Sequence, residues 1–206
     1  MSRQLERRIA KLATTKTAGR IGYKRWNQLV NRATVADSVD ELSSDEVSII
    51  KQAEQELLAK SVNIYLDIDG VLLDSKKNKP AIGLNFFLKT LNKLMLEGNE
   101  VYWLTTHCNG DASTAVKYLA PYIDKRLSKI IIENINPTSW TVKTQGIDFT
   151  KPFLWFDDKP LGWADAKTMK DHDAEASLVT VDLNKKPLAL VGLAFRLKRM
   201  TKRPKL

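Results

Sequence analysis

The sequence predicts an α/β fold: a doubly wound, Rossmann-like, five-stranded and mainly parallel sheet with a helical N-terminal extension. Three observations predict it. From residue 62 onward, short apolar runs alternate with amphipathic helical stretches, the pattern of strands buried on both faces. The resulting order, βαβαβ followed by βαβα, places helices against both faces of one sheet. Before residue 62 there is no strand-like alternation, only helical periodicity.

The elements follow in order. Leu5, Ile9 and Leu12 recur at helical spacing, and Gly19 and Gly22 interrupt that stripe. A second stretch holds Trp26, Leu29, Val30 and Ala33. Ser43 with Glu46 three residues later is a capping-box signature; it opens a helix carrying Val47, Ile50, Ala53, Leu57 and Leu58. The strands are expected at Val62–Leu66, Val101–Leu104, Ile130–Ile132, Phe153–Phe156 and Leu178–Val181. Leu84, Phe87, Leu88, Leu91 and Leu94 share one helical stripe, and Gly98 stands where a left-handed C-cap is expected. Further helices are expected over Asp111–Leu119, Leu161–Lys170 and Leu188–Arg199. This divides the chain into a basic helical segment (1–60), an α/β domain (61–199) and a basic tail (200–206).

The chain has 206 residues, room for one α/β domain plus an appendage. Charged residues make up 28% and apolar residues 43%, which excludes wholesale disorder. No apolar run reaches the ~18–20 residues of a membrane-spanning helix, and the N-terminus lacks the apolar core of a secretory signal. A single cysteine, Cys108, excludes an intramolecular disulfide and a Cys-rich zinc site, and fits a reducing compartment. A basic, acid-poor N-terminus overlaps in composition with organelle transit peptides; its helical packing pattern favours a mature cytoplasmic segment.

The net charge of +9 is unevenly placed. Residues 1–32 hold nine Lys/Arg and one acid, and residues 184–206 hold eight Lys/Arg and no acid, leaving −7 for 33–183. Basic ends on an acidic body either contact nucleic acid or another polyanion, or confer solubility. Tyr23 and Trp26 lie among Arg20, Lys24, Arg25 and Arg32, so stacking beside charge and simple docking of the N-terminal helices are both open.

In doubly wound sheets, ligands sit at the carboxyl ends of the strands. The first strand runs into Asp67-Ile68-Asp69-Gly70-Val71, the second into Thr105-Thr106-His107, and the fourth into Asp157-Asp158. Acids at two strand ends and hydroxyls at a third suit a hard cation and a phosphate; magnesium takes carboxylate oxygens and keeps positions for substrate. A carboxylate can also attack phosphorus and form an aspartyl-phosphate.

DIDGV after the first strand, Thr105 after the second and WFDD closing the fourth resemble the haloacid dehalogenase (HAD) superfamily of aspartate-nucleophile phosphohydrolases, over residues 62–199. The WFDD ending and the VYWLTT strand look most like a capless bacterial and phage subgroup, some of whose members occur with RNA-repair modules. The resemblance implies Asp67 as nucleophile and Mg²⁺ ligand. It implies Asp69 as general acid/base and, through its backbone carbonyl, as a further ligand. Gly70 would allow backbone to approach the phosphate. Thr105 matches the phosphate-binding hydroxyl, with Thr106 beside it. Asp158 matches the direct metal ligand and Asp157 the outer one. The superfamily's phosphate-binding lysine is Lys143 or Lys151. Lys143 is favoured, because Lys151 begins a strand and would point away from its carboxyl end.

His107 follows the threonines as a pocket-lining or local capping residue; the subgroup more often has an aromatic there. Cys108 reads as a bystander at the pocket edge, and His172 as a solvated surface residue. Trp155 and Phe156 read as core, and Trp163 as either packing or a base-stacking platform. Only about 33 residues separate the first two strands, which leaves no room for a substantial cap. The expected function is Mg²⁺-dependent hydrolysis of a phosphomonoester, on a nucleic-acid end or nucleotide. The alternatives are a nucleic-acid-binding accessory protein with a degenerate HAD fold, and a 5′-nucleotidase-like phosphatase of small molecules.

Overall fold

The computed structural model of the chain describes residues 9, 12–35, 42–58, 61–74, 76–77, 79–131, 134–159 and 161–202. Leu5, Ile132 and the tail from 203 to 206 lie outside the described residues. The chain divides into two compact units, Met1–Ser61 with Leu96–Gly98, and Val62–Met95 with Asn99–Leu206.

Among its described residues the N-terminal unit has helices and no strand: a 3-10 turn (Leu12–Thr14), α1 (Lys16–Ile21), α2 (Tyr23–Val35) and α3 (Ser44–Leu58). Gly19 lies inside α1, not at a break; α1 stops instead at Gly22. A glycine inside a helix weakens it by only about 1 kcal/mol, which packing overrides. The capping box forms as the sequence implies. The Ser43 backbone N–H donates to Glu46 Oε2 at 2.9 Å, and the Glu46 N–H donates to Ser43 Oγ at 3.4 Å. Ile9, Leu12, Trp26, Leu29, Ile50 and Ala53 make this unit's own core, so Trp26 is a packing residue at 4% exposure.

The second unit is mixed α/β. Its elements are β1 (Asn63–Leu66), β2 (Leu73–Asp74), β3 (Lys79–Pro80), α4 (Leu84–Leu96) and β4 (Glu100–Trp103), then α5 (Ser113–Leu119), α6 (Lys125–Ile131), β5 (Phe153–Asp157), α7 (Trp163–Asp171), β6 (Leu178–Thr180) and α8 (Ala189–Lys202). The main sheet has four parallel strands in the order β4-β1-β5-β6, and β2 and β3 form a small antiparallel hairpin.

Side chains alternate along each strand between two cores. Ile64, Leu66, Val101, Trp103, Leu154 and Phe156 pack with Phe87, Leu88 and Leu91 of α4 and Leu190, Leu193 and Leu197 of α8. Tyr65, Phe153 and Trp155 pack with Met169 of α7 and Ile147. The two clusters explain why β1 and β5 read as unbroken apolar runs: every residue of both is buried. Gly98 takes φ +95° after α4, and the Asn99 N–H reaches back to the Leu94 carbonyl at 3.0 Å, closing that helix as expected.

Over its described residues the strand expected at Ile130–Ile132 is helix instead: Ile130 and Ile131 end α6. Asp124 starts that helix by accepting from the N–H groups of Arg126 and Leu127. Ile131 is fully buried and Leu127 packs at the edge of the same core, an i, i+4 pair that a three-residue apolar run cannot reveal. The chain then makes a single parallel bridge from Asn136 to Tyr102, at the outer edge of β4. Among the described residues, the expected five-stranded sheet therefore shows four strands and one bridge.

Candidate active site

Each site segment leaves the carboxyl end of a strand, and hydrogen bonds beyond the strands fix their heights. The Asp67 N–H donates to the Phe156 carbonyl at 3.0 Å, and the Leu104 N–H donates to the Leu66 carbonyl at 2.8 Å. Asp67 after β1, Thr105 after β4 and Asp157 at the end of β5 are thus brought to one rim.

Asp67, Asp157 and Asp158 each offer a carboxylate oxygen within 4.8 Å of the others. Lys143 bridges two of them, with Nζ 2.6 Å from Asp67 Oδ2 and 2.5 Å from Asp157 Oδ2. It stands on a 3-10 turn (Lys143–Gly146) anchored by the Thr144 N–H on Asp165 Oδ1 at 2.8 Å. Asp165 lies in the first turn of α7. Asp157 also accepts from Trp155 Nε1 at 3.2 Å and from the Lys159 N–H at 3.0 Å. Lys151 is placed elsewhere: it pairs with Glu100 at 3.3 Å, beside the amino ends of β5 and β4.

Burial pushes the Asp67 carboxyl above its ordinary value, against the pull of the Lys143 ammonium. Burial also raises Asp158, and the neighbouring Asp157 and Asp67 charges add to it. The charges of Asp67 and Asp157 hold Lys143 above its ordinary value in spite of burial. Lys143 thus bridges two of the three close carboxylates, and the Lys159 charge offsets part of the rise at Asp158. Asp158 Oδ1 is buried and has no hydrogen-bond partner. An all-oxygen set with an orphaned buried carboxylate oxygen fits a hard divalent cation.

Gly70 explains itself sterically. Its φ is +78°, and a Cβ there would lie 2.0 Å from Asp158 Oδ2. Gly70→Ala is therefore expected to displace the Asp158 carboxylate and cost about 1–3 kcal/mol of stability. A thermal melt with and without divalent cation checks it: the melting temperature falls and the cation-dependent rise shrinks.

Asp69 is turned to other partners. His107 Nε2 lies 2.9 Å from its Oδ2, and the Tyr118 hydroxyl donates to its Oδ1 at 3.0 Å. Thr105 is fully buried, and its Oγ1 accepts from the His107 N–H at 3.4 Å; Thr106 is exposed. Cys108 is buried, with its thiol pushed up by burial and directed to the Thr138 carbonyl. His172 is exposed and stacks on Phe149 at 4.1 Å. Trp155 and Phe156 are core, whereas Trp163 is 82% exposed and packs in neither cluster of this unit.

A cavity of about 170 Å³ opens beside the acids, lined by Gly70, Asp74, Lys76, Asp158, Asp182 and Asn184 among others. Asp74 and Lys76 belong to the β2–β3 hairpin and its turn, and Asp182 and Asn184 follow β6. Sequence reasoning missed these four and Tyr118. No helix among the described residues is long and apolar enough to cross a membrane.

Comparison of the chain with family models, with curated proteins and with solved structures finds no match.

Proposed function

We propose that the chain is a phosphomonoester hydrolase of the HAD type, capless and Mg²⁺-dependent, that works through an aspartyl-phosphate on Asp67. The observation that carries this reading is the meeting of Asp67, Asp157 and Asp158 with Lys143 at the carboxyl ends of β1 and β5. In this reading the bridge from Asn136 to Tyr102 stands for the fifth strand of a doubly wound sheet.

Asp67, Asp157 and Asp158 would hold the metal through their carboxylates, and Asp69 through its backbone carbonyl. When bound, Mg²⁺ supplies positive charge that offsets the phosphoryl oxygens. Asp67 attacks phosphorus with one carboxylate oxygen. The bond from phosphorus to the leaving oxygen breaks, its electron pair goes to that oxygen, and a proton passes to it from Asp69. Asp69 then takes a proton from a water that attacks phosphorus. The bond to Asp67 breaks, releasing phosphate and restoring the carboxylate. Lys143 neutralises the nucleophile before attack and the phosphoryl group after it, and the Thr105 hydroxyl donates to a phosphoryl oxygen.

The substrate class is a nucleic-acid end or a nucleotide. Between β1 and β4 the described residues hold a two-stranded hairpin and α4, which leaves no room there for a substantial inserted cap. The exposed Trp163 starts α7, five residues after Asp158, where it can stack on a base. The basic ends supply phosphate-backbone contacts.

The test is a phosphate-release screen over nucleotides, 3′- and 5′-phosphorylated oligonucleotides, sugar phosphates and phosphopeptides, with Mg²⁺ and with chelator. Release that requires Mg²⁺ and is fastest on the nucleotide or oligonucleotide members is expected. No release from any member, together with salt-sensitive nucleic-acid binding, would replace this reading with that of a non-catalytic binding protein.

A further inference from the structure

We propose that His107 and Tyr118 act together as positioning residues for Asp69, holding its side chain outside the metal-binding set and ready for the leaving group. The proposal rests on the reading of Asp69 as the acid/base, and it adds a residue, Tyr118, that no motif marks.

The observation is a convergence of three elements. Asp69 lies in the loop after β1, His107 in the loop after β4, and Tyr118 near the end of α5. Both oxygens of the Asp69 carboxylate are engaged, Oδ2 by His107 at 2.9 Å and Oδ1 by Tyr118 at 3.0 Å. The two rings stack on each other, with centroids 3.7 Å apart and planes 17° from parallel. Stacking holds each donor at a fixed place, so the pair reads the carboxylate as one rigid fork.

Such a fork answers a problem set by the loop itself. Asp69 lies two residues from Asp67, beside three carboxylates that gather around a cation position. A mobile fourth carboxylate would be drawn to the same cation, and an acid bound there has no proton to give. Asp69 is outside the trio, and its side chain is 33% exposed, within reach of a leaving group.

A positioning role makes a prediction that plain packing does not. Protonation matters most for poor leaving groups, so misplacing the acid should hurt alkyl phosphates more than activated aryl phosphates. The ratio of kcat/KM for glycerol phosphate to kcat/KM for p-nitrophenyl phosphate reads this, because kcat/KM covers steps through departure of the leaving group. Tyr118→Phe removes one hydroxyl and keeps the ring. It is expected to lower that ratio by about tenfold or more. His107→Phe, which keeps a stacking ring and loses Nε2, should act in the same direction. Both substrates are measured on one preparation, so partial misfolding cancels in the ratio. A smaller change in the ratio for both variants, in a wild-type background that hydrolyses both substrates, overturns the fork and leaves the phosphatase reading standing. A wild type without Mg²⁺-dependent release from either substrate overturns both together.

Discussion

Asp67→Asn is expected to abolish Mg²⁺-dependent release of phosphate from an aryl phosphate, by at least about 10⁴-fold, as loss of a covalent nucleophile does in other hydrolases. The substitution keeps size and shape and removes only the charge. Burial raises the Asp67 carboxyl, so its ionised form costs stability above the ordinary carboxylate range. The asparagine variant should therefore melt no lower than the wild type in the absence of divalent cation. Activity and folding thus separate in one experiment. Unchanged turnover in a well-folded variant would sink the aspartyl-phosphate mechanism.

The second large effect is expected at Lys143. Lys143→Met leaves Asp67 and Asp157 facing each other without their shared cation, with Asp158 close to both. Removing one partner of a buried pair costs roughly 3 kcal/mol or more. The sign of the pH dependence follows from the three shifts. Lys143 is raised, so its stabilisation is fully present below its ordinary value and is lost only as pH rises through the raised one. Asp67 and Asp158 are raised, so the cost of their ionised forms sets in as pH climbs above the ordinary carboxylate value. The Lys143→Met penalty should therefore be large at neutral pH and shrink in acid, where those carboxyls take up protons. Added Mg²⁺ at neutral pH should recover much of the lost melting temperature while turnover stays depressed, because the cation replaces the charge but not the contact to substrate. Melting curves at two pH values, with and without Mg²⁺, check this. A penalty that does not depend on pH would show that the carboxylates are not what Lys143 neutralises.

The same charges connect stability and chemistry. Three acids packed within 4.8 Å oppose folding on their own. The chain tolerates them because Lys143 arrives from a turn anchored on Asp165 of α7, and because Trp155 and the Lys159 N–H donate to Asp157. Carboxylates held together at a cost could hold a cation, as the proposed function requires.

Much of this was legible in the sequence for a simple reason. Parallel strands buried on both faces leave continuous apolar runs, and the residues just past such runs must stand at one rim of the sheet. That logic places Asp67, Thr105, Asp157 and Asp158 without any coordinates. Capping chemistry is equally local, which is why Ser43 with Glu46 and Gly98 could be read directly. Ile130–Ile132 failed because three apolar residues have no period, and the pair Leu127 and Ile131 decides for a helix only once its buried side is known.

The sequence by itself determined the class of the fold, the rim where the acids lie and the uneven placement of charge, since all of these depend on neighbours in the chain. Only the tertiary structure shows Lys143, and not Lys151, standing beside the acids, because that depends on which end of the sheet each lysine reaches. It also gave Asp69 its partners. His107 is 38 residues away and Tyr118 is 49, and a side-chain hydrogen bond across such distances is set by how helix and strand pack. No rule of spacing carries that information.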